Sequence, residues 1–491
     1  MNWSGSTLAA QRHPFIFAWL AFTLYGMVAC AAIQLLILPY VFPGIHAGHG
    51  LLAGGDFPHL HSIAARMSAQ ITREGWHAWQ LMPDGQSAAG MASAIYALTY
   101  PEPWVLIPLN ASLHALGAIF VMRLVQILTN DTAIAFGGGM LYVSLPSSLH
   151  WVSQIQKDST YSAGMLAVLL GLVTLIQAAR NKVKSQEIGL AIGLVLLGLV
   201  LTGMARLYGL ELIQVVVSVI AIFAIPTLIR RWWRDSTSTA HLVTTASRWG
   251  SNISTTHLVA AVAVMFAVIF ANKAIPPSWQ IERINPEFPT VSSVLVIHKP
   301  EVQIQIESQL TFENKVNKWR RNDFLPDIVD RTALRIAVAR WGWTGPTYAT
   351  AGSMIDIDSQ FDSAGGLVGY LPRALQIGFL APFPQHWVTQ KSSPGNAVMR
   401  GAAGIEMMIL YPMFLIGLPL AMWRWRRRLE LWVILAYCTP VLLAFTYVIP
   451  NVGSLHRLRY GLLMPLAAVG MAAIWLSLRE WQTRYSQPST T

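Results

Sequence analysis

Asp56, His59 and His61 lie within a short stretch, Gly54-Gly55-Asp56-Phe57-Pro58-His59-Leu60-His61, just past the first apolar run of the chain. A carboxylate and an imidazole can take up, release or orient a proton. Asp56 and His59 also have the chemistry to hold a divalent cation, although the residues themselves do not require a metal. His59 and His61 are two apart and point in different directions, so they do not share one ion. Further along, Lys157-Asp158 sets opposite charges side by side. Arg206 follows an apolar run, with Tyr208 and Glu211 close behind, and Arg457 and Arg459 flank Leu458 near the C-terminal end. Ammonium and guanidinium groups neutralise phosphate oxygens, the guanidinium in bidentate fashion. Structural readings stand beside these. Asp56 and Asp158 are residue types that cap helices, with Ser159 competing for the second cap, and Arg206 is placed to pair with Glu211.

The elements that must position these groups follow from composition. Hydrophobic residues make up 54% of the 491 and charged residues 12%, roughly half the charge of an ordinary globular chain. Mean hydropathy is +0.46. Apolar runs long enough to cross a bilayer recur at 15–42, 103–127, 132–150, 160–179, 187–206, 210–229, 257–272, 403–423, 431–450 and 460–478, with 88–100 as a half-span or interfacial helix. The expected fold class is an all-α polytopic membrane protein of about 10 transmembrane helices, range about 9–13, with a mixed segment inserted on the outer face. The first run is too long for a signal-peptide core, and no small-residue cleavage site follows it. Cys30 and Cys438 fall inside runs, which fits buried thiols better than a disulfide.

The net charge of +11 would point to nucleic acid in a soluble protein, but here the basic residues sit in short loops. Arg12 precedes the first run; Arg180, Lys182 and Lys184 follow the fourth, Arg230, Arg231 and Arg234 the sixth, and Arg424, Arg426, Arg427 and Arg428 the eighth. With alternating spans all four clusters fall on one side, which the positive-inside rule makes cytoplasmic. Both termini are then cytoplasmic, and the segments 43–102, 151–159, 205–210, 273–402 and 451–459 face outward. Asp56, His59, His61, Lys157, Asp158, Arg206, Arg457 and Arg459 all lie in these segments. Arg457 and Arg459 run against the charge bias of an outer loop.

Three modules follow: an N-terminal transmembrane module, 1–272, whose first outer loop is 43–102; an extracytoplasmic segment, 273–402; and C-terminal transmembrane helices, 403–491. In the first loop, Phe57 to Arg73 reads as an amphipathic helix. Leu60, Ile63, Ala64, Met67 and Ile71 form its apolar stripe, and Asp56, His59, Ser62, Arg66 and Gln70 lie on the other face. In the large segment, 291–297 is β-branched and suits a short strand. Asp327 to Trp341 reads as a helix, and Asp356, Asp358 and Asp362 as a solvated acidic turn lacking the glycine and glutamate of a calcium loop. The stretch 371–384 is too short to span and suits an interfacial helix.

An acidic residue at the start of a helical first outer loop (Asp56), and a Lys-Asp pair opening a later span after a Pro- and aromatic-containing stretch (Leu145-Pro146 through Trp151 to Lys157-Asp158), resemble the GT-C class of membrane glycosyltransferases. The protein-O-mannosyltransferase and aminoarabinose-transferase branch is the most similar. The resemblance covers roughly 15–230 and departs at Phe57, where many members carry a second acidic residue. It implies transfer of a sugar from a polyprenyl-phosphate-linked donor to an acceptor hydroxyl, with inversion, at the periplasmic face of a bacterial inner membrane, in cell-surface glycan assembly. Asp56 would act as base with Asp158 or His59 orienting the acceptor, and Lys157, Arg206, Arg457 and Arg459 would bind the donor phosphate. The partners implied are the lipid-linked donor, a glycan, lipid or protein acceptor, and membrane lipids. No cofactor is required, with a divalent cation at Asp56 and His59 as the alternative.

A polysaccharide polymerase, ligase or carrier of lipid-linked glycan would also gather outer arginines around a lipid phosphate. A carrier should show paired half-repeats with broken helices, and no internal repeat is evident. A structural membrane subunit is the third reading. The topology is testable: a cysteine at Ser353 should be labelled by an impermeant reagent on intact cells and one at Ser236 should not, and the reverse result would invert every site assignment.

Overall fold

The computed structural model describes residues 14–53, 55–180, 185–237, 255–271, 318–344, 353–387 and 394–485. Arg12, Lys182, Lys184 and the run 291–297 lie outside the described residues. Among those described, eight helices are long and apolar enough to cross a membrane: Pro14–Val41, Pro103–Thr129, Asp158–Ala178, Gln186–Ala205, Leu207–Arg230, Arg400–Arg424, Leu429–Val448 and Val452–Arg484. The chain is an all-α polytopic membrane protein. Two expected spans are shorter than their apolar runs. The run 132–150 is divided, because Leu145, extended before Pro146 (φ −70°, ψ 127°), ends one helix and starts another. The run 257–272 yields a helix only over Thr255–Ile269.

The contacts divide the chain into two compact units. The first comprises residues 1–275, 393–441 and 460–491; the second, 276–392 and 442–459. By these contacts the last outer loop, 451–459, groups with the second unit.

The first unit begins with α1 (Pro14–Ala32), prolonged by a π-helical stretch over Ile33–Val41 that accommodates Pro39. There follow α2 (Phe57–Glu74), α3 (Ser87–Leu98), α4 (Ile107–Thr129), α5 (Thr132–Ser144), α6 (Pro146–Val152), α7 (Asp158–Arg180), α8 (Ser185–Ala205), α9 (Leu207–Thr237) and α10 (Thr255–Ile269). The apolar window of α7 is buried on every side, as expected of a helix hydrophobic all round. Its tightest neighbour is α8: a Cβ on Gly198 would meet the Gly164 carbonyl oxygen at 2.6 Å, so only glycine permits this backbone approach.

In the second unit lie α11 (Asp327–Trp343) and α12 (Ala364–Leu380). After it come α13 (Pro394–Pro412), α14 (Leu418–Arg424), α15 (Leu429–Val448) and α16 (Val452–Tyr485). The expected interfacial helix 371–384 starts earlier, at Ala364, because the Ser363 hydroxyl accepts the Gly366 N–H and caps it. Ala333, Ala337, Trp341, Phe361, Ala364 and Leu367 form the unit's core. Arg340, only 1% exposed, holds that core to the last turn of α15. It donates to the carbonyls of Asp356 (2.9 Å), Ser359 (3.1 Å) and Tyr447 (3.1 Å), between the Phe361 and Tyr370 rings. The Tyr447 hydroxyl donates to Leu367 O, and Ile355 N–H to Pro450 O. These bonds, together with the buried Arg459, place 442–459 in this unit.

The acidic turn is not simply solvated. Asp356 accepts from Arg373 Nε (2.8 Å) and the Tyr370 hydroxyl (2.9 Å). Burial alone would raise its carboxyl, but the hydrogen bonds from Arg373 and Tyr370 and the charges of Arg373 and Arg340 hold it below the ordinary range. Asp362 pairs with Arg320.

Candidate functional site

At one end of the first unit, three loops are tied together by side-chain amides and hydroxyls. Gln154 accepts the Leu52 N–H (3.1 Å) and donates to Gly50 O (3.3 Å), fastening the 151–157 loop to the first loop. Gln34 donates to Ser153 O (2.8 Å), and Asn110 to Val152 O (3.1 Å) and Gln154 O (3.2 Å). The Ser87 hydroxyl, opening α3, donates to Ala205 O (3.0 Å), the residue before Arg206. Leu52, Phe57, Leu60, Ile63, Ala64, Ala88, Ala92, Tyr96 and Ile155 share one apolar cluster beneath these loops.

The α2 helix turns out as its periodicity predicts. Leu60, Ile63, Ala64, Met67 and Ile71 are all buried, whereas Asp56, His59 and Arg66 are exposed. Asp56 occupies the N-cap position, but its backbone is already helical (φ −73°, ψ −6°) and its carboxylate accepts no capping bond. The expectation that Asp56 caps the helix is corrected: the carboxylate is left to the surface. The histidines separate by role. His46 Nε2 accepts the Gly50 N–H, His49 contacts Glu102 (2.9 Å), and His61 bonds the Tyr96 hydroxyl (3.0 Å). Burial, then the His49 charge, lowers the His61 pKa below its ordinary value, favouring the neutral ring. His59 remains on the open face beside Asp56.

Asp158 opens α7 in a bidding of another kind: it accepts from Arg206 Nη2 at 2.7 Å, with about a tenth of each side chain exposed (11% for Arg206, 10% for Asp158). The Arg206 guanidinium also donates to the Tyr208 hydroxyl (3.0 Å) and lies 5.6 Å from the Tyr161 ring centroid. Arg206 therefore pairs with Asp158, not with Glu211, which is exposed. The pair removes Arg206 as a ready phosphate ligand and Asp158 as a ready base, since each charge is already matched. Lys157, next to Asp158, is partly exposed.

Arg457 and Arg459 lie in the second unit. Arg459 is fully buried, at 0% exposure, and donates to the carbonyls of Ile377 (2.9 Å), Gly378 (2.7 Å) and Ala381 at the C-terminal end of α12. Its violation of the charge bias is thus explained by helix capping, as carbonyls at a helix end attract a cation. The expectation that Arg459 binds donor phosphate is withdrawn. Arg457 is partly exposed.

The far end of the first unit is basic. Arg428 donates to Ile127 O (2.7 Å), Arg479 pairs with Asp131 (2.9 Å) and Arg424 with Glu480 (2.5 Å). Asn110 and Ile127 sit at opposite ends of α4, about 26 Å apart at 1.5 Å per residue. The arginine cluster and the candidate site therefore occupy opposite ends of one helix.

The residues that sequence reasoning missed are uncharged amides and one acid. Gln34 (1% exposed) and Asn110 (8%) sit inside apolar runs, and polar residues at such places usually serve a purpose. Glu406, 1% exposed inside its span, accepts from the Ser147 N–H (2.5 Å) and hydroxyl (2.6 Å), fixing the start of α6. Among the described residues, no three His, Cys, Asp or Glu side chains converge as a metal site. The chain matches no protein-family model, no curated protein and no solved structure.

A structural test separates the Asp158–Arg206 pair from the open face. Asp158→Asn should destabilise the protein by about 3 kcal/mol, because it strands a buried guanidinium. The double variant Asp158→Asn/Arg206→Gln should recover most of that in the same denaturation measurement. An additive double variant would show that the two charges do not depend on each other.

Proposed function

We propose that this chain is a membrane glycosyltransferase of the GT-C type, moving a sugar from a polyprenyl-phosphate donor to an acceptor hydroxyl at the outer face of the membrane. The observation that carries this reading is the joining of three loops at one end of the first unit, which exposes Asp56 and His59 there and brings Lys157 to the same end. The arginine cluster at the opposite end of α4 supports an outward-facing site, because the positive-inside rule places such clusters in the cytoplasm. A bacterial inner membrane with periplasmic chemistry fits that orientation, and an outer location accounts for a lipid-linked donor.

In the reaction, Asp56 takes the acceptor hydroxyl proton as the acceptor oxygen bonds the anomeric carbon from the face opposite the phosphate. The bond from that carbon to the phosphate oxygen breaks, its electron pair leaves on the lipid phosphate, and the anomeric centre inverts. Lys157 offsets the charge developing on the leaving phosphate. His59, one turn along α2, orients the acceptor. Arg457, from the second unit, retains the chemistry of a phosphate ligand and is assigned no geometry in this site.

Because Asp56 accepts no capping bond, Asp56→Asn removes charge without removing a helix cap. The variant should fold and bind polyprenyl phosphate as the parent does, and lose transfer by about 100-fold or more, the scale of general-base catalysis. Full transfer by the folded variant would make Asp56 a bystander and return the question to a carrier or ligase.

A further inference from the structure

The other half of the α2 polar face borders a cleft of about 480 Å³ that the catalytic reading does not use. Its walls are α2 and the 80–84 loop. Ile63, Met67 and Pro83 form a buried floor, and Arg66, Gln70, Arg73, Gln80 and Asp84 form the rim. Its size is in the range of ordinary small-ligand sites.

The rim is built for a particular kind of ligand. Arg66 and Arg73 are seven residues apart, so they lie on one side of α2, about 10 Å from each other along the axis. Asp84 faces Arg66 across the cleft (3.5 Å between Arg66 Nη2 and Asp84 Oδ2). Its backbone is left-handed (φ +50°), in a turn closed by Gly85 N–H to Met82 O (3.1 Å) and Gln86 N–H to Pro83 O (2.9 Å). Arg73 makes no ion pair or hydrogen bond among the described residues, and the neighbouring Glu74 accepts from Gln70 (2.9 Å). Among the residues lining the cleft, two guanidinium groups stand against one carboxylate, with the Glu74 carboxylate beyond them on Gln70. Arg73 thus offers an unmatched bidentate donor set for a carboxylate or phosphate. Gln80 and Asp84 are suited to hydroxyl groups, and the apolar floor to the carbon face of a ring.

We infer that the Arg66–Arg73 cleft binds an acidic saccharide, a sugar unit bearing a carboxylate or phosphate. Resting on the transferase reading, this makes it an acceptor subsite, and the acceptor an anionic glycan. The cleft and Asp56 share one helix, about 26 Å end to end from Asp56 to Arg73 at 1.5 Å per residue. A glycan laid along α2 would present its terminal hydroxyl to Asp56 while a charged unit behind it engages Arg73.

The test uses equilibrium binding to the full chain in lipid nanodiscs. The probes are oligogalacturonate, uncharged galactose oligomers of equal length, and phosphatidylglycerol vesicles as competitors. Oligogalacturonate should bind, weaken with added salt, and bind about 10-fold more weakly to Arg73→Gln, the scale of losing one charge-assisted contact. Arg73 is exposed and makes no ion pair or hydrogen bond among the described residues, so this variant should fold; Arg73→Lys should recover part of the binding. Uncharged oligomers that bind equally well, an Arg73→Gln variant that binds as the parent does, or displacement by phosphatidylglycerol vesicles would each overturn the inference, the last in favour of a lipid headgroup site. The binding test does not depend on transfer, so a separate assay that finds no transferase activity, with Arg73-dependent binding intact, would remove the catalytic reading and leave the saccharide site standing.

Discussion

Backbone that leaves the helical path in or near lipid must find hydrogen-bond partners within the protein, because the hydrocarbon supplies none. At the site end of the first unit, Gln34, Asn110 and Gln154 meet that demand. They bind the carbonyls of Val152, Ser153 and Gln154, and both a carbonyl and an N–H of the 50–52 stretch. The loop before α7 can then run irregularly and stay ordered, with Lys157 and the Asp158–Arg206 pair at its end. The open face of α2 stands over the same apolar cluster. Everything proposed for this end depends on those amides, with the Ser87 hydroxyl on Ala205 O, holding three loops in register.

The same demand explains the two buried arginines of the second unit. Arg340 and Arg459 face carbonyl oxygens: Arg340 those of Asp356, Ser359 and Tyr447, Arg459 those closing α12. An arginine on an outer loop reads as an exception to charge bias, and ligand binding is one reason for such an exception. For Arg459 the reason is internal. Sequence supplies the residue and its side of the membrane but not the direction of its fork, which depends on where α12 ends.

Periodicity and charge carried the local reading well. The stripe Leu60, Ile63, Ala64, Met67 and Ile71 is buried as its spacing requires, and eight of the apolar runs form spanning helices. Long-range pairing was beyond reach. Arg206 is five residues from Glu211 yet pairs with Asp158, 48 positions away, because neighbouring spans bring their outer ends together whatever their separation in the chain. Asp56 was legible as a helix start but not as an open carboxylate: its φ and ψ, set by the turn through Gly55, decide that. Gln34, Asn110 and Glu406 were visible as polar residues inside apolar runs; only the fold shows which carbonyl or N–H each one serves.

The central claim is that the lipid-linked donor is handled at the end of the first unit that carries Asp56, His59 and Lys157. An experimental structure of the protein in nanodiscs with polyprenyl phosphate tests it most directly. The account requires phosphate density at that end, within contact of Lys157, with the isoprenoid chain along the spans. Phosphate density at the opposite end of α4, beside Arg424, Arg428 and Arg479, would contradict it.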